Sequence, residues 1–118
     1  MEPIQLSDDR GLLCAGVSGR LGEEEAAELA ETVGRRLEGR PPARLLLDLT
    51  EVEYMTSSAV GAVVSLYQRV RLGGGRMAVA APDERVHLLL EIAGLNQLLA
   101  LCRTAEEARR ALAGGEPC

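Results

Sequence analysis

The sequence of 118 residues contains no Phe, no Trp and no Lys, and Tyr54 and Tyr67 are its only tyrosines. A hydrophobic core must therefore be built from Leu, Val, Ile, Ala and Met. The formal net charge is −5, and all thirteen basic residues are Arg. Nucleic-acid binding needs clustered cations, and adsorption to an anionic membrane needs a basic patch. The charge therefore argues against both kinds of partner.

Long hydrophobic runs are also absent. No stretch approaches the roughly 20 apolar residues of a membrane helix, and the N-terminus lacks the basic-then-apolar form of a signal peptide. We therefore expect a cytoplasmic protein without direct membrane insertion. The three cysteines, Cys14, Cys102 and Cys118, are odd in number and lack metal-ligand spacing. Reduced thiols, no metal and no cofactor are the expectation.

The apolar pattern predicts one α/β domain. Strand-like runs occupy residues 4–7, 12–17, 45–49, 77–81 and 98–102. Apolar residues at helical spacing follow the second, third and fourth runs, and a last helix follows the fifth. This order predicts a mixed, mostly parallel β-sheet with an N-terminal hairpin and about four helices. The predicted domain spans residues 1–113, and residues 114–118 form a flexible C-terminal tail.

Two helix ends have specific signals. Thr104 is a predicted N-cap, and Glu107 three positions later completes a capping box. Gly94 follows the third helix, where a left-handed residue is expected.

Three consecutive hydroxyl residues, Thr56, Ser57 and Ser58, separate a strand-like run from a helix-like run. Ser and Thr are common N-caps, so capping is the simplest interpretation from these residues alone. The triplet also follows a strand and opens a helix. It should therefore lie at the sheet edge where α/β proteins place ligands and partners.

Four other residues have competing interpretations. Asp48 ends the buried strand and either caps a nearby turn or shapes a partner surface. His87 lies off the apolar face of its helix, which favours a solvated position over a catalytic one. Gly61 and Ser65 form a small-residue stripe that we interpret as close packing.

Several of these motifs occur together in the order and spacing of the STAS domain family. They are Asp48-Leu49, the Ser57-Ser58 pair, the glycines Gly73–Gly75, and the segment Leu90–Leu95 that ends in Gly-Leu. The resemblance covers nearly the whole chain. Because the chain consists only of this domain, it resembles the stand-alone anti-sigma factor antagonists.

The resemblance implies a switchable binding protein rather than an enzyme. Such members bind an anti-sigma factor that is also a serine kinase, and thereby free a sigma factor. The kinase phosphorylates the first Ser of the pair, here Ser57, which ends binding, and a phosphatase resets the switch. Thr56 and Ser58 are secondary acceptors, and a monomer or weak dimer is expected. The implied partner surface consists of Asp48, Thr56, Ser57, Ser58, Ala59 and Gly61.

The sequence departs from the family pattern at three places. Thr56 stands where the family usually has Asp, and Ala59 where it usually has Gly. Arg20-Leu21-Gly22 replaces the frequent Glu-Leu-Asp. These changes concern recognition by the kinase more than the fold.

Two alternative functions remain open at this point. A STAS accessory subunit of a lipid-trafficking ABC transporter would dock the same loop on an ATPase without phosphorylation. A hydrolase would need Ser57, His87 and Asp48 to meet, with the serine on a sharp elbow. The G-x-S-x-G elbow is absent, so no catalytic residue is predicted.

Overall fold

The computed structural model of the protein describes residues 4–38 and 44–114. After two initial strands, helices and strands alternate along the chain. The elements are β1 (Ile4–Asp9), β2 (Leu12–Leu21), α1 (Glu23–Leu37), β3 (Arg44–Met55), α2 (Ser57–Leu72), β4 (Arg76–Ala80), α3 (Glu84–Ile92), a 3-10 turn (Leu95–Gln97), β5 (Ala100–Cys102) and α4 (Ala105–Leu112).

The strands form one five-stranded sheet in the order β1-β2-β3-β4-β5. β1 runs antiparallel to β2, and every other neighbouring pair is parallel. Arg10 and Gly11 make the hairpin turn between β1 and β2, both with positive φ. The predicted α/β fold with an N-terminal hairpin and a mostly parallel sheet is therefore confirmed.

The two faces of the sheet are covered unequally. Leu45, Leu47 and Leu49 point to the larger core, which α1, α2 and α3 cover. Leu46 points to the other face, where α4 covers a smaller cluster of mostly small side chains. Full burial of one such leucine contributes about 1.5–3 kcal/mol. The apolar run of β3 is thus explained by helices on both faces of the sheet.

Three strands, β1, β2 and β3, are longer than predicted, and β2 and β3 extend furthest. β3 pairs with β4 only from Arg44 to Asp48. Beyond that point, Glu51–Met55 pairs with Ser18–Leu21 of β2 alone. In this two-stranded part, which we call the β2–β3 extension, only Val52 and Met55 of Glu51–Met55 are buried, because it is less covered than the central sheet. Its pattern is therefore less apolar than that of the predicted strand at 45–49.

The predicted helix ends are confirmed. Thr104 Oγ1 accepts a 3.1 Å hydrogen bond from the Glu107 N–H, and Glu107 Oε1 accepts one of 3.2 Å from the Thr104 N–H. Gly94 has a φ of 82° directly after the C-cap of α3. The last strand is shorter than the predicted 98–102, since the 3-10 turn hydrogen-bonds Leu98 and Leu99 back to Leu95.

The cysteines differ from the expectation of reduced thiols. Among the described residues Cys14 is free, whereas Cys102 is half of a disulfide. Of the predicted tail, residues 115–118 lie outside the described residues. Within the part of the chain that the structure describes, no helix has both the length and the apolar character needed to span a bilayer.

Candidate functional site

The hydroxyl triplet lies at the carboxyl edge of the sheet, the edge at which the parallel strands β2 to β5 end and α1 to α4 begin. Only Thr56 separates β3 from α2. Its Oγ1 accepts a 3.3 Å hydrogen bond from the Ala59 N–H, so Thr56 is the N-cap. Its backbone N–H donates a 3.1 Å bond to the Leu21 carbonyl at the end of β2. Hydrogen bonds to α2 and to β2 therefore hold the Thr56 turn in place.

Ser57 and Ser58 are the first two residues of α2, and both are exposed. The N–H groups of a first helical turn lack partners within the helix and create a partial positive charge there. The first turns of α1, α3 and α4 contain Glu, but that of α2 contains no acidic residue. The structure therefore presents the Ser57 hydroxyl to solvent where added negative charge is tolerated.

The next two residues of the implied partner surface differ in exposure. Ala59 is fully buried in the larger core. Gly61 is exposed, and within the described structure no atom outside its own helix lies within 4 Å of where a Cβ would be. Ser65 is exposed too. The interpretation of this stripe as close packing within the chain is therefore wrong, and Gly61 forms open surface beside Ser57.

Asp48 lies away from the triplet. Its Oδ1 accepts hydrogen bonds from the backbone N–H and the hydroxyl of Thr50, at 2.9 and 2.6 Å. Met55 lies seven positions later in β3, and at about 3.3 Å per strand residue this corresponds to roughly 23 Å. Asp48 also affects the Cys14 thiol, whose pKa is raised first by burial and then further by the negative charge of Asp48. Asp48 thus makes local hydrogen bonds within β3, and its predicted place on a partner surface stays a prediction.

Two arginines flank the end of the β2–β3 extension. The Arg20 guanidinium lies 4.5 Å from the centre of the Tyr54 ring, and Arg20 pairs with Tyr54 in the sheet register. On the other side, Arg85 of α3 donates a 3.3 Å hydrogen bond to the Glu53 carbonyl and lies 3.6 Å from the Asp83 carboxylate. Glu53 and Tyr54, which precede the triplet in β3, are therefore each contacted by an arginine side chain.

His87 is buried, with 8% of its surface exposed, contrary to the prediction of a solvated residue. Its Nδ1 lies 3.0 Å from the Ala81 carbonyl oxygen, and its Nε2 lies 3.9 Å from Glu91 Oε1. α3 packs against β3 and the 3-10 turn, and the His87 ring also meets the segment after β4, so a side chain off the main apolar face of α3 is still covered. In residues 4–38 and 44–114, no hydrogen bond joins Ser57, His87 and Asp48, so the geometry of a hydrolase triad is not formed.

Comparison with known proteins agrees with this geometry. The family model described as the STAS domain matches residues 4–108. The chain therefore belongs to the STAS domain family. An anti-sigma F factor antagonist of Paenibacillus polymyxa is 27% identical over 96 residues, which cover 81% of this chain and 82% of the relative.

Solved structures show the same fold. An anti-sigma-factor antagonist (STAS) domain protein from Planctomyces limnophilus superposes with a TM-score of 0.81 at 23% identity, covering 93% of this chain and 97% of the other. The Bacillus cell fate determinant SpoIIAA in its phosphorylated form gives a TM-score of 0.72 at 19% identity, with 90% and 96% covered.

Proposed function

We propose that this protein is an anti-sigma factor antagonist. It binds an anti-sigma factor that is also a serine kinase, and so frees a sigma factor in the cytoplasm. The observation that carries the proposal is the position of Ser57, exposed at the start of α2 at the carboxyl edge of a STAS domain. The anti-sigma F factor antagonist of Paenibacillus polymyxa supports the choice of partner class.

The docking surface is formed by Ser57, Ser58 and Gly61, with Thr56 holding the turn. These side chains are small, so a partner can approach the backbone of α2 closely. Ala59 is buried in the larger core and thereby holds the first turn of α2 in position. Asp48 supports the surface through its hydrogen bonds to Thr50, which shape β3.

Phosphorylation of Ser57 ends binding. The kinase transfers the γ-phosphoryl group of ATP to Ser57 Oγ: the bond from the γ-phosphorus to the bridging oxygen breaks, ADP leaves, and the hydroxyl proton is released. The product carries almost two negative charges and three acceptor oxygens. The start of α2 accommodates that charge, so the fold persists. A partner surface shaped for a hydroxyl now meets bulk and charge, and a loss of about 3 kcal/mol weakens binding more than a hundredfold. A phosphatase restores the hydroxyl.

No catalytic group of this chain takes part in the cycle. The charged outer faces of the helices favour a monomer or weak dimer.

Calorimetric titration of the cognate anti-sigma factor tests the proposal. We expect Ser57→Asp to weaken binding strongly, while thermal stability stays the same or rises by about 0.3–1 kcal/mol. Ser57→Ala should bind and resist the kinase. Ser7→Asp is the matched control, since Ser7 is an exposed serine in the edge strand β1, where it pairs with Cys14 far from the carboxyl end of β2. It should bind like the wild type.

Unchanged affinity of Ser57→Asp would overturn the proposal. Phosphate found by mass spectrometry only on Thr56 or Ser58 would overturn the choice of acceptor.

A further inference from the structure

Arg20 and Tyr54 form an exposed pair at the end of the β2–β3 extension. They are register partners in neighbouring strands, and the guanidinium lies over the ring. Tyr54 is 47% exposed and is one of five large hydrophobic residues that are exposed in the described part of the chain. Among the described residues, no carboxylate forms an ion pair with Arg20. The ring is therefore the only contact that holds this guanidinium within the part of the chain described.

The pair lies directly beside the Ser57 turn. Leu21, the residue after Arg20, accepts the hydrogen bond from Thr56, the residue before Ser57. Arg20 and Ser57 are thus each one residue removed from the same hydrogen bond. Consecutive Cα atoms are about 3.8 Å apart, so the two backbones are close at this edge. A long, flexible arginine side chain and a phosphoserine can meet across it.

We propose that Arg20 binds the phosphoryl group of phosphorylated Ser57 within the same chain. This inference rests on the proposed phosphorylation of Ser57. No bond is made or broken in the step: the guanidinium leaves the Tyr54 ring and donates hydrogen bonds to the phosphate oxygens. Phosphorylation therefore changes the docking surface twice. It adds charge at Ser57, and it uncovers the ring of Tyr54.

The Arg20 guanidinium should bind the phosphoryl group of Ser57 more strongly than it binds the Tyr54 ring. A cation–π contact at an exposed site is weak. An arginine can donate two parallel hydrogen bonds to a phosphate, and these charge-assisted bonds are among the strong ones in proteins. Arg85 on the other flank is less available, because the Asp83 carboxylate and the Glu53 carbonyl already hold it. Arg20 is thus the cation that is free to move.

The test uses the full chain with phosphoserine installed at position 57 during translation, and no partner protein. The pH titration of the phosphate is followed by 31P NMR. A cation that binds the dianion lowers the second pKa of the phosphate, which is ordinarily about 6. We expect a lower midpoint in the wild type than in Arg20→Gln. Arg20→Lys keeps the charge without the two-pronged geometry and should lie between them.

A second readout follows Tyr54 itself. In a Tyr67→Phe background Tyr54 is the only tyrosine, and the chain has no Trp. Its ring resonances should shift on phosphorylation when Arg20 is present, and the shift should be lost in Arg20→Gln. Arg85→Gln is the matched control and should titrate like the wild type. Thermal melts of the unphosphorylated variants confirm that each one folds.

The inference would be overturned if the phosphate titrated with the same pH midpoint in the wild type and in Arg20→Gln. It would also be overturned if only Arg85→Gln changed that midpoint. Neither result depends on the anti-sigma factor. If Arg20 does not bind the phosphate, the unphosphorylated protein should still bind its partner. If the protein does not bind the partner, the difference in phosphate titration between the wild type and Arg20→Gln should still be seen.

Discussion

The carboxylate of Asp48 holds Thr50 by two hydrogen bonds at the point where β3 parts from β4. Asp48 is the last residue of β3 that pairs with β4, and Oδ1 accepts from both the N–H and the hydroxyl of Thr50. The opposite strand shifts its register near the same place, between Gly16 and Ser18. This residue pair therefore sets where the β2–β3 extension begins.

We predict that Asp48→Ala lowers the free energy of unfolding by about 1–2 kcal/mol, because it removes the acceptor of both bonds. Asp48→Asn retains an Oδ1 acceptor and should lose less. Urea unfolding measures both variants. If Asp48 instead touched the partner directly, Asp48→Asn would weaken binding while its stability stayed near that of the wild type.

Thr56 should behave as a structural cap. Thr56→Ala removes the oxygen that accepts the Ala59 N–H, and N-cap loss typically costs about 1 kcal/mol. Thr56→Ser keeps the hydroxyl and should melt close to the wild type. Equal melting of Thr56→Ala and the wild type in a thermal scan would show that the Thr56 hydroxyl is not needed as a cap.

Gly61→Ala should separate stability from binding. The new methyl group meets open space in this structure, and Ala is preferred over Gly inside a helix by about 0.5–1 kcal/mol. We therefore expect a higher melting temperature. If α2 is the docking surface, the same methyl group keeps the partner at a distance and weakens its binding in calorimetry.

Gly34→Ala in α1 is the control for Gly61→Ala. The new methyl group would displace only the tip of the Arg69 side chain. Affinity for the partner should not change. Equal affinities for Gly61→Ala and the wild type would place the contact elsewhere on the chain.

Asp83 gives the start of α3 a pH dependence. Hydrogen bonds from the backbone N–H groups of Val86 and Arg85, the first being the larger cause, hold the pKa of Asp83 below its ordinary value. A lowered pKa in the folded state means that the stabilisation is complete above the unfolded value of about 3.9. It is lost as the pH falls through the lower folded value.

We therefore expect wild-type stability in urea to fall more steeply below about pH 4 than that of Asp83→Asn, which keeps an acceptor without a charge. Parallel stability curves for the two proteins would contradict this role of the Asp83 carboxylate.

Residues with strong local signals were predicted from the sequence. The capping box of α4 depends only on Thr104 and Glu107, which lie three positions apart. The left-handed residue after α3 depends only on Gly94. The order of strands and helices followed from apolar periodicity in the same way. Ser57 was singled out only because the Ser57-Ser58 pair has the spacing of the STAS family, since the hydroxyl triplet alone predicted no more than a helix cap.

Features that depend on distant residues were not predicted. The length of β3 depends on its pairing with Ser18–Leu21, more than thirty positions earlier in the chain, and its own residues there are only partly apolar. His87 seemed exposed because helical periodicity describes one helix alone. Its Nδ1 lies 3.0 Å from the Ala81 carbonyl oxygen, in the segment after β4, which the periodicity of α3 does not describe. The Arg20–Tyr54 contact depends on strand register, which the sequence pattern does not encode.

The one-sided pairing of Glu51–Met55 has a consequence for local motion. Backbone amides in a strand bordered by two neighbours exchange with solvent only through large openings, whereas a strand with one neighbour can part from it at lower cost. Amides of the β2–β3 extension should therefore exchange faster than those of Leu45–Leu47 in the same strand. Local opening of the strand segment that precedes Ser57 therefore leaves the central sheet closed.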